Sequence, residues 1–297
     1  MPKLEIHPLS DLRGEAAALL GERYARQRAA EPLLPAIGDF EAHLPEGGHV
    51  ATRGDQAVAY LAGTVEDEHR MARWLFAGHA AREPEALRDL FAQQAADFGV
   101  SRFMLTVPAT DSELIDVWFR LAFGCQAVWA VREVEPQQVE FAGTVRAAIP
   151  EDTEDVADFD EVLYAHQIAT PSFSEFPVPP REETLREVAE LWDDASYVPF
   201  VAELDGRVAG MLILFRRPEG DLRVPANNID LAFAATHADI RGSGAGLALY
   251  AHAMNWAHEQ GFASMTVDWR SVNLLSSRFW PRRGFRPQYL RLYRAVP

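Results

Sequence analysis

The chain has 297 residues, a length that favours two domains. Its composition, with 48% hydrophobic, 10% aromatic and 24% charged residues, is that of a globular protein and excludes wholesale disorder. The 28 basic and 44 acidic residues give a net charge of −16, which disfavours nucleic acid as a partner and favours small cationic substrates.

The single cysteine, Cys125, excludes an internal disulfide framework and a structural zinc site built on several thiolates, so no metal is expected. The first residues lack the basic start and apolar run of a signal peptide. The apolar run at 208–215 is far shorter than the ~20 residues that cross a bilayer. We therefore expect a cytoplasmic protein without a membrane partner. A homodimer is compatible with the sequence, which does not decide the oligomeric state.

The two halves of the chain resemble each other. Residues 118–126 align with 280–288 at an offset of 162, with Trp, Arg, Phe and Gln identical, and the same offset relates Arg132 to Arg294. This pattern indicates an old duplication. A polar stretch at 134–140 with one proline is typical of a linker, so the predicted domains are 1–135 and 143–297.

The second half is predicted to contain alternating strands and helices. Hydrophobic periodicity, a turn at Asp205-Gly206 and a helix end at Gly261 define the elements. In chain order we expect a strand at 144–148, helices at 151–168 and 181–192, strands at 199–204, 207–215 and 228–236, a helix after 246, a strand at 263–269, a helix at 274–280 and a strand at 288–295. The order is that of a mixed α/β sheet.

A glycine-rich turn, Arg241-Gly242-Ser243-Gly244-Ala245-Gly246, separates a predicted strand from a predicted helix. Glycines permit a tight turn, and the free amides at the helix start attract anions, a pyrophosphate above all. The Lys-Ser/Thr of a nucleotide-triphosphate loop is missing, and the glycine spacing is wrong for a dinucleotide fingerprint. A glycine turn that serves only packing is the alternative.

The turn and the elements that follow it resemble the GNAT N-acetyltransferase superfamily. The Arg-Gly-x-Gly-x-Gly pattern at 241–246 is similar to the pyrophosphate loop of that family, and Asn273 followed by Phe279 and Gly284-Phe285 is similar to its next motif. The resemblance covers 144–297. It implies an α/β fold with two GNAT-like domains in tandem, each a mixed, mostly antiparallel sheet flanked by helices.

The first half shows the same layout without the glycine loop. At the corresponding place it reads His-Ala-Ala-Arg-Glu-Pro-Glu-Ala at 79–86. Glu83 and Glu85 would repel a pyrophosphate, and Pro84 lacks an N–H group. We expect a degenerate GNAT half that keeps the fold and binds no cofactor.

The resemblance implies acetyl transfer from acetyl-CoA to a primary amine, by direct attack in a ternary complex. The acidic balance favours a small cationic acceptor such as a polyamine, an aminoglycoside or an amino sugar. A non-catalytic acyl-CoA-binding or regulatory protein is the first alternative, and a purely structural protein is the second.

The resemblance also implies which residues bind acetyl-CoA. The last residues of the strand before the loop offer backbone groups to the pantetheine arm, the loop holds the pyrophosphate, and the next motif completes the site. The implied set is Ala234, Ala235, Thr236, Arg241, Gly242, Ser243, Gly244, Ala245, Gly246, Asn273, Ser276 and Trp280.

Trp280 departs from the family pattern, because the family often has a tyrosine there to protonate the leaving thiolate. An indole N–H donates a hydrogen bond but does not release its proton. The thiolate would leave unaided or through water, and Ser276 or Ser277 would hydrogen-bond it.

By the same likeness, the strand before the loop carries the general base. Asp230 is its one carboxylate and our first candidate, and alternation places Asp230 and Phe233 on opposite faces. An aspartate bonded to a turn is the alternative interpretation. Glu203 and Asp268 on neighbouring strands are rival bases. His237 directly precedes the loop and would serve either as a titrating group or as a structural residue.

The loop at 170–180 lies where the family usually covers the acceptor pocket. Phe173 and Phe176 would line that pocket, and Glu175 would bind a cation. The alternative is that at least one of the phenylalanines seals the core beneath the loop.

Overall fold

A computed structural model describes residues 2–172, 178–218 and 220–296. The chain forms two compact units: residues 1–129, 220–225 and 287–297 make the first unit, and residues 130–219 and 226–286 make the second. Among the described helices, none combines the length and the apolarity that crossing a bilayer requires.

The first half of the chain forms eight strands and three helices. They are β1 (Leu4–Pro8), α1 (Arg13–Ala30), β2 (Gly48–Arg53), β3 (Gln56–Ala62), β4 (Thr64–Glu66), β5 (Met71–Trp74), β6 (His79–Ala81), α2 (Ala86–Phe98), β7 (Arg102–Pro108), α3 (Ser112–Arg120) and β8 (Gly124–Glu133).

The second half forms six strands and four helices among the described residues. They are β9 (Thr144–Ala147), α4 (Thr153–Ile168), α5 (Arg181–Asp193), β10 (Tyr197–Leu204), β11 (Arg207–Phe215), β12 (Asn228–Thr236), α6 (Ala245–Glu259), β13 (Ser264–Arg270), α7 (Ser276–Phe279) and β14 (Arg286–Ala295).

Within the first unit, one sheet has the order β1-β2-β3-β6 and lies between α1, which packs on β3 and β6, and α2, which packs on β2 and β3. A second set of strands runs β4-β5-β7-β14, where β14 pairs antiparallel with β7. The last strand of the chain therefore belongs to the first unit, although the sequence suggested that it closes the second domain. The boundaries 1–135 and 143–297 stay a prediction.

Within the second unit, the strands run β13-β12-β11-β10-β9, preceded by the end of β8 from Ala130 onward. The helices α4 and α5 cover one face of this sheet and α6 covers the other. The hairpin between β10 and β11 turns at Asp205 and Gly206, whose φ values of 52° and 79° are those of the expected two-residue turn. The predicted order of elements in the second half is confirmed.

The helix predicted at 274–280 is shorter in the structure, where α7 begins at Ser276. The side chain of Asn273 explains the later start, because its Oδ1 accepts hydrogen bonds from the amides of Leu275 and Ser276 at 3.0 and 3.3 Å. Asn273 thus closes a turn ahead of the helix.

Strand β12 carries a bulge at the point where the site begins. Ile213 and Leu214 are consecutive on β11, but their partners on β12 are Phe233 and Leu231, so Ala232 is the extra residue. A bulge of this kind reverses the side-chain alternation beyond it.

The bulge corrects one expectation about Asp230. Asp230 pairs with Phe215 and Phe233 pairs with Ile213, and these two β11 residues lie on the same face. Asp230 and Phe233 therefore share a face instead of pointing in opposite directions. Simple alternation along the strand does not reveal the extra residue Ala232, so the sequence pattern placed Phe233 on the wrong face.

Candidate active site

A cleft of about 490 Å³ opens in the second unit beside the end of β12. Strands β12 and β13 pair in parallel from Asn228 and Ser264 up to Leu231 and Val267, and no pair follows. Beyond that point the inner edge of β12 is open, and its last residues, 234–236, line the cleft. No described strand pairs with the backbone groups of 234–236 on that side, so they are available to an extended ligand.

The glycine loop forms one end of the cleft. Gly242 and Gly244 have φ values of 92° and 94°, which a side chain would strain. Within the described residues, no acceptor is found for the amides of Gly242, Gly244 and Gly246. Helix α6 begins directly after the loop, so its positive end faces the same space. Arg241, which is exposed, adds a fixed cation to this anion-binding arrangement.

Apolar residues make up much of the lining of the cleft. Met211 and Leu212 of β11 and Leu249 of α6 belong to it. Val162, Leu163 and His166 of α4 also line the cleft, and they were not foreseen as site residues. The cleft thus combines apolar walls with a polar end, which suits a long ligand with one anionic end.

His166 is held in a defined orientation by Asn273. The Nε2 atom of His166 lies 3.1 Å from Oδ1 of Asn273, and the same oxygen accepts two backbone amides of the following turn. Since an amide oxygen only accepts hydrogen bonds, Nε2 must carry the proton and donate it. In the neutral ring this leaves Nδ1 as the unprotonated nitrogen.

The wall formed by α7 and the turn after it contains two buried polar atoms without a partner among the described residues. They are Oγ of Ser276 and Nε of Arg283, and both residues line the cleft. A buried donor or acceptor left unpaired costs about 1–3 kcal/mol, so both atoms point to a ligand with hydrogen-bonding groups.

The sequence of this unit matches a known family model. Residues 162–285 match the acetyltransferase (GNAT) family, and this segment contains the glycine loop and the Asn273 turn. The second unit is a GNAT domain. Family membership indicates acetyltransferase activity and leaves the acceptor unidentified.

The fold of the whole chain is similar to solved structures of GNAT proteins. A GCN5-related N-acetyltransferase from Sphaerobacter thermophilus superposes with a TM-score of 0.64 at 12% identity, covering 98% of this chain and 95% of the other. A tandem GNAT protein from the clavulanic acid biosynthesis pathway gives 0.51 at 16% identity, with 99% of both chains covered. A GNAT-family acetyltransferase from Colwellia psychrerythraea gives 0.54 at 14% identity, with 99% and 100% covered.

At these identities the similarity concerns the fold alone, and it confirms the predicted tandem GNAT architecture. No curated protein matches the chain by sequence at a significant level.

The GNAT cleft brings together most of the predicted cofactor-binding residues. Of the twelve residues predicted, eleven line the cleft, namely Ala234, Ala235, Thr236, Arg241, Gly242, Gly244, Ala245, Gly246, Asn273, Ser276 and Trp280. Ser243 does not line it, and its hydroxyl instead accepts the amide of Ala245 at 3.3 Å. Their role in binding acetyl-CoA stays a proposal.

Asp230 lies outside the lining of the cleft, in a buried polar cluster. Its side chain is 6% exposed and accepts hydrogen bonds from Arg217 at 2.7 Å and from the hydroxyl of Thr266 at 2.6 Å. This is the stretch in which β12 is still paired with β13. The geometry thus gives Asp230 a structural ion pair, and its role as a base stays a prediction.

The other predicted bases are also absent from the lining of the cleft. Glu203 binds Arg146 at 2.7 Å on the outer strands. Asp268 is exposed near the end of β13, in the electrostatic range of Arg270. The ring of His237 packs against that of Phe159, with centroids 4.4 Å apart and the planes tilted by 38°.

The predicted acceptor residues Phe173, Glu175 and Phe176 lie outside the described residues, so their roles stay predictions. The remaining lining residues were not among the predicted site residues; they are Val162, Leu163, His166, Met211, Leu212, Ile240, Leu247, Leu249, Leu275, Phe279 and Arg283. Phe279 belongs to the second family motif but was given no site role, and the residues on α4 carry no motif because packing positions them.

The corresponding place in the first unit has a different construction. The amides of Arg82 and Glu83 both donate to the carbonyl of Val58, at 2.8 and 3.1 Å. Glu83 is paired with Arg53 at 2.6 Å. Both amides already donate hydrogen bonds within the protein and Pro84 has no N–H group, so none of the three is available to an anion. Among the described residues of either unit, no cluster of three or more metal-ligating side chains is present.

Proposed function

We propose that the chain is an N-acetyltransferase that moves the acetyl group of acetyl-CoA to a primary amine of a small cationic acceptor, by direct attack in a ternary complex. One observation carries this proposal. The cleft of a GNAT domain ends at a loop with three glycine amides that find no acceptor among the described residues.

The residues present fit acetyl-CoA along the whole cleft. The amides of the glycine loop and Arg241 would hold the diphosphate. The open edge of β12 at 234–236 would bond the amides of the pantetheine arm. On the wall, Oγ of Ser276 and Nε of Arg283, which have no partner among the described residues, would bond polar groups of the cofactor. When bound, acetyl-CoA supplies the activated acetyl thioester.

The acceptor amine must lose a proton before it can attack. A free alkylammonium group has a pKa of about 10, so a positioned base assists. We place His166 in this role, because it lines the cleft and Asn273 leaves its Nδ1 as the proton acceptor. The carboxylates Asp230, Asp268 and Glu203 remain the competing candidates.

The described residues that line the cleft include no tyrosine that could protonate the leaving thiolate. Trp280 occupies the place of the family's tyrosine and is 6% exposed, with its ring packed against Tyr250 and Phe285. The thiolate is expected to leave unprotonated, which a thiol pKa of about 8.5 allows near neutral pH. Trp280 also keeps open the second candidate function, an acyl-CoA-binding protein without turnover.

The charge of α4 and α5 supports a cationic acceptor. The two helices carry ten carboxylates and two arginines, and α4 leads to His166 at the cleft. Burial raises the pKa of Asp160, and the neighbouring Glu187 and Glu161 add to the shift. Such a field attracts cations toward the cleft.

Calorimetry with acetyl-CoA, followed by detection of free thiol over a panel of primary amines, tests the proposal. We expect binding and turnover, with polyamines, aminoglycosides or amino sugars better than neutral amines of similar size. Binding without turnover over the whole panel would support the non-catalytic alternative. No heat with any CoA derivative would overturn both.

The base is tested by four single variants, His166→Gln, Asp230→Asn, Asp268→Asn and Glu203→Gln. Loss of a general base typically lowers kcat by 10²–10⁴-fold, and we expect a loss of about 100-fold in kcat for His166→Gln. A kcat within a few fold of the unmodified protein in His166→Gln, with a loss of that size in a carboxylate variant, would move the role to that carboxylate.

A further inference from the structure

The offset of 162 residues that relates the two halves of the sequence also relates pairs of contacts in the structure. In the first unit, the rings of Trp118 and Phe123 lie 5.5 Å apart at 75°. In the second unit, the rings of Trp280 and Phe285 lie 5.6 Å apart at 82°. The turn between the short helix and the following strand is therefore built twice.

An arginine supports each copy of this turn. Nη1 of Arg132 donates to the carbonyl of Arg283, and Nη1 of Arg294 donates to the carbonyl of Leu121 at 2.9 Å. Both the donors and the acceptors are related by the same offset. Arg132 and Arg283 belong to the second unit, and Arg294 and Leu121 belong to the first. Each arginine supports the turn that lies in the opposite half of the sequence.

The contact in the second unit has an additional partner. Nη1 of Arg132 also donates to the hydroxyl of Tyr250 on α6. The side chain of Arg132 is 12% exposed, and Glu135 lies 3.2 Å from it. Burial raises the pKa of Tyr250, so the hydroxyl stays neutral and accepts the bond. Arg132 thus ties α6 to the turn, whereas position 88 in the first unit, which matches Tyr250, is an exposed arginine.

The carbonyl that Arg132 holds belongs to a residue of the cleft wall. The guanidinium of Arg283 lies 3.6 Å from the centre of the Phe279 ring and donates to the carbonyl of Phe279 at 3.1 Å. Its Nε is buried without a partner among the described residues, and both side chains line the cleft. A shift of the Arg283 carbonyl would therefore move the side chains of Arg283 and Phe279 together.

We propose that Arg132 is a positioning residue that holds the wall of the acyl-CoA cleft, formed by Phe279, Trp280 and Arg283, in its binding conformation. The inference rests on the proposed function, because it assigns the cleft to an acyl-CoA. Arg132 lies at the end of β8, in the first half of the sequence. Acyl-CoA binding by the GNAT domain would therefore require a residue from that half.

The test compares Arg132→Met with the matched variant Arg294→Met in the full chain. Both remove one arginine contact to a duplicated turn, so both are expected to lower the thermal unfolding midpoint. Calorimetry at a temperature where all variants are folded should show acetyl-CoA bound about 10-fold more weakly by Arg132→Met. Arg294→Met should bind within twofold of the unmodified protein.

Arg132→Lys provides the conservative control. Lysine keeps a cationic donor for one of the two acceptors, so it should recover part of the lost affinity. Unchanged affinity in Arg132→Met, or an equal loss in Arg294→Met, would overturn the positioning role. If the unmodified protein does not bind acetyl-CoA at all, the proposed function itself fails, which is a distinguishable result.

Discussion

The two units share a fold and a duplicated turn, yet they use the space beside the inner strands differently. In the second unit this space is a cleft, and three loop amides and two polar atoms of its wall find no partner in the described part of the chain. In the first unit the imidazole of His79 is fully buried there, bonded to the carbonyl of Thr106 at 2.9 Å and packed on Trp118. Arg23 adds its guanidinium, which donates to the carbonyls of His79 and Phe76.

The comparison shows what a binding site of this fold requires beyond the fold itself. The sheets and flanking helices form in both units. What differs is the turn before the central helix: among the described residues the amides of Gly242, Gly244 and Gly246 find no acceptor, whereas those of Arg82 and Glu83 are both bonded to Val58. A binding function therefore depends on a few backbone donors, and side chains fill the space where those donors are absent.

The largest effect is expected from a carboxylate placed in the glycine loop. Gly244→Glu combines strain at a φ of 94° with repulsion of the diphosphate, and it should weaken acetyl-CoA binding at least 100-fold, or about 2.7 kcal/mol. Arg82→Glu, at the matching position of the first unit, should leave binding within twofold.

Gly261→Glu is the control for strain in the second unit, since Gly261 has a φ of 80° at the other end of α6 and open space around it. Calorimetry on the three variants checks this prediction. Equal loss in Gly244→Glu and Gly261→Glu would mean that the loop acts through stability and not through its amides.

An intermediate effect is expected from acid in the first unit. Burial lowers the pKa of His79 to about 3, and the nearby charge of Arg23 acts in the same direction. Between about pH 6.5 and pH 3 the unfolded chain therefore binds a proton that the folded chain refuses, so this group makes the folded state less stable as the pH falls.

The contribution of His79 to the free energy of unfolding should fall by about 1.4 kcal/mol per pH unit over that range. His79→Gln keeps a donor for the carbonyl of Thr106 and removes the titration. Urea unfolding at pH 7 and pH 5 should show a smaller acid loss in the variant. Parallel curves for the two proteins would contradict the assignment.

The smallest effect concerns the turn that is built twice. Gly284 has a φ of 81°, and the matching residue of the first unit, Ala122, is held at 62°. An alanine is strained in this region, so Ala122→Gly should raise the free energy of unfolding by about 0.5–1 kcal/mol. Gly284→Ala should lower it by about 1 kcal/mol or more, and differential scanning calorimetry measures both. A loss of stability in Ala122→Gly would show that the duplication does not extend to backbone strain.

The features predicted from the sequence are those encoded by neighbouring residues. The glycine loop, the hairpin at Asp205-Gly206 and the helix end at Gly261 each rest on backbone conformations that few residues adopt. For this reason the order of elements and most of the cleft lining were predictable.

The unpredicted features depend on residues far apart in the chain. His166 reaches the cleft because α4 packs over it, and its partner Asn273 lies about a hundred residues later. The bulge at Ala232 adds one residue without changing the composition of the strand. The burial of Asp230 in an ion pair with Arg217 follows from the pairing of β12 with β13, which no local pattern contains.

The place of β14 in the first unit also affects how the chain can fold as it is synthesised. Strand β7 ends at Pro108 and its neighbour β14 begins at Arg286, so one side of β7 has no partner until nearly the whole chain has been made. At about 5–20 residues per second, that interval is roughly 10–35 s. During it the nascent first unit exposes an unpaired strand edge, which makes this stage of synthesis the point where a chaperone would be most useful.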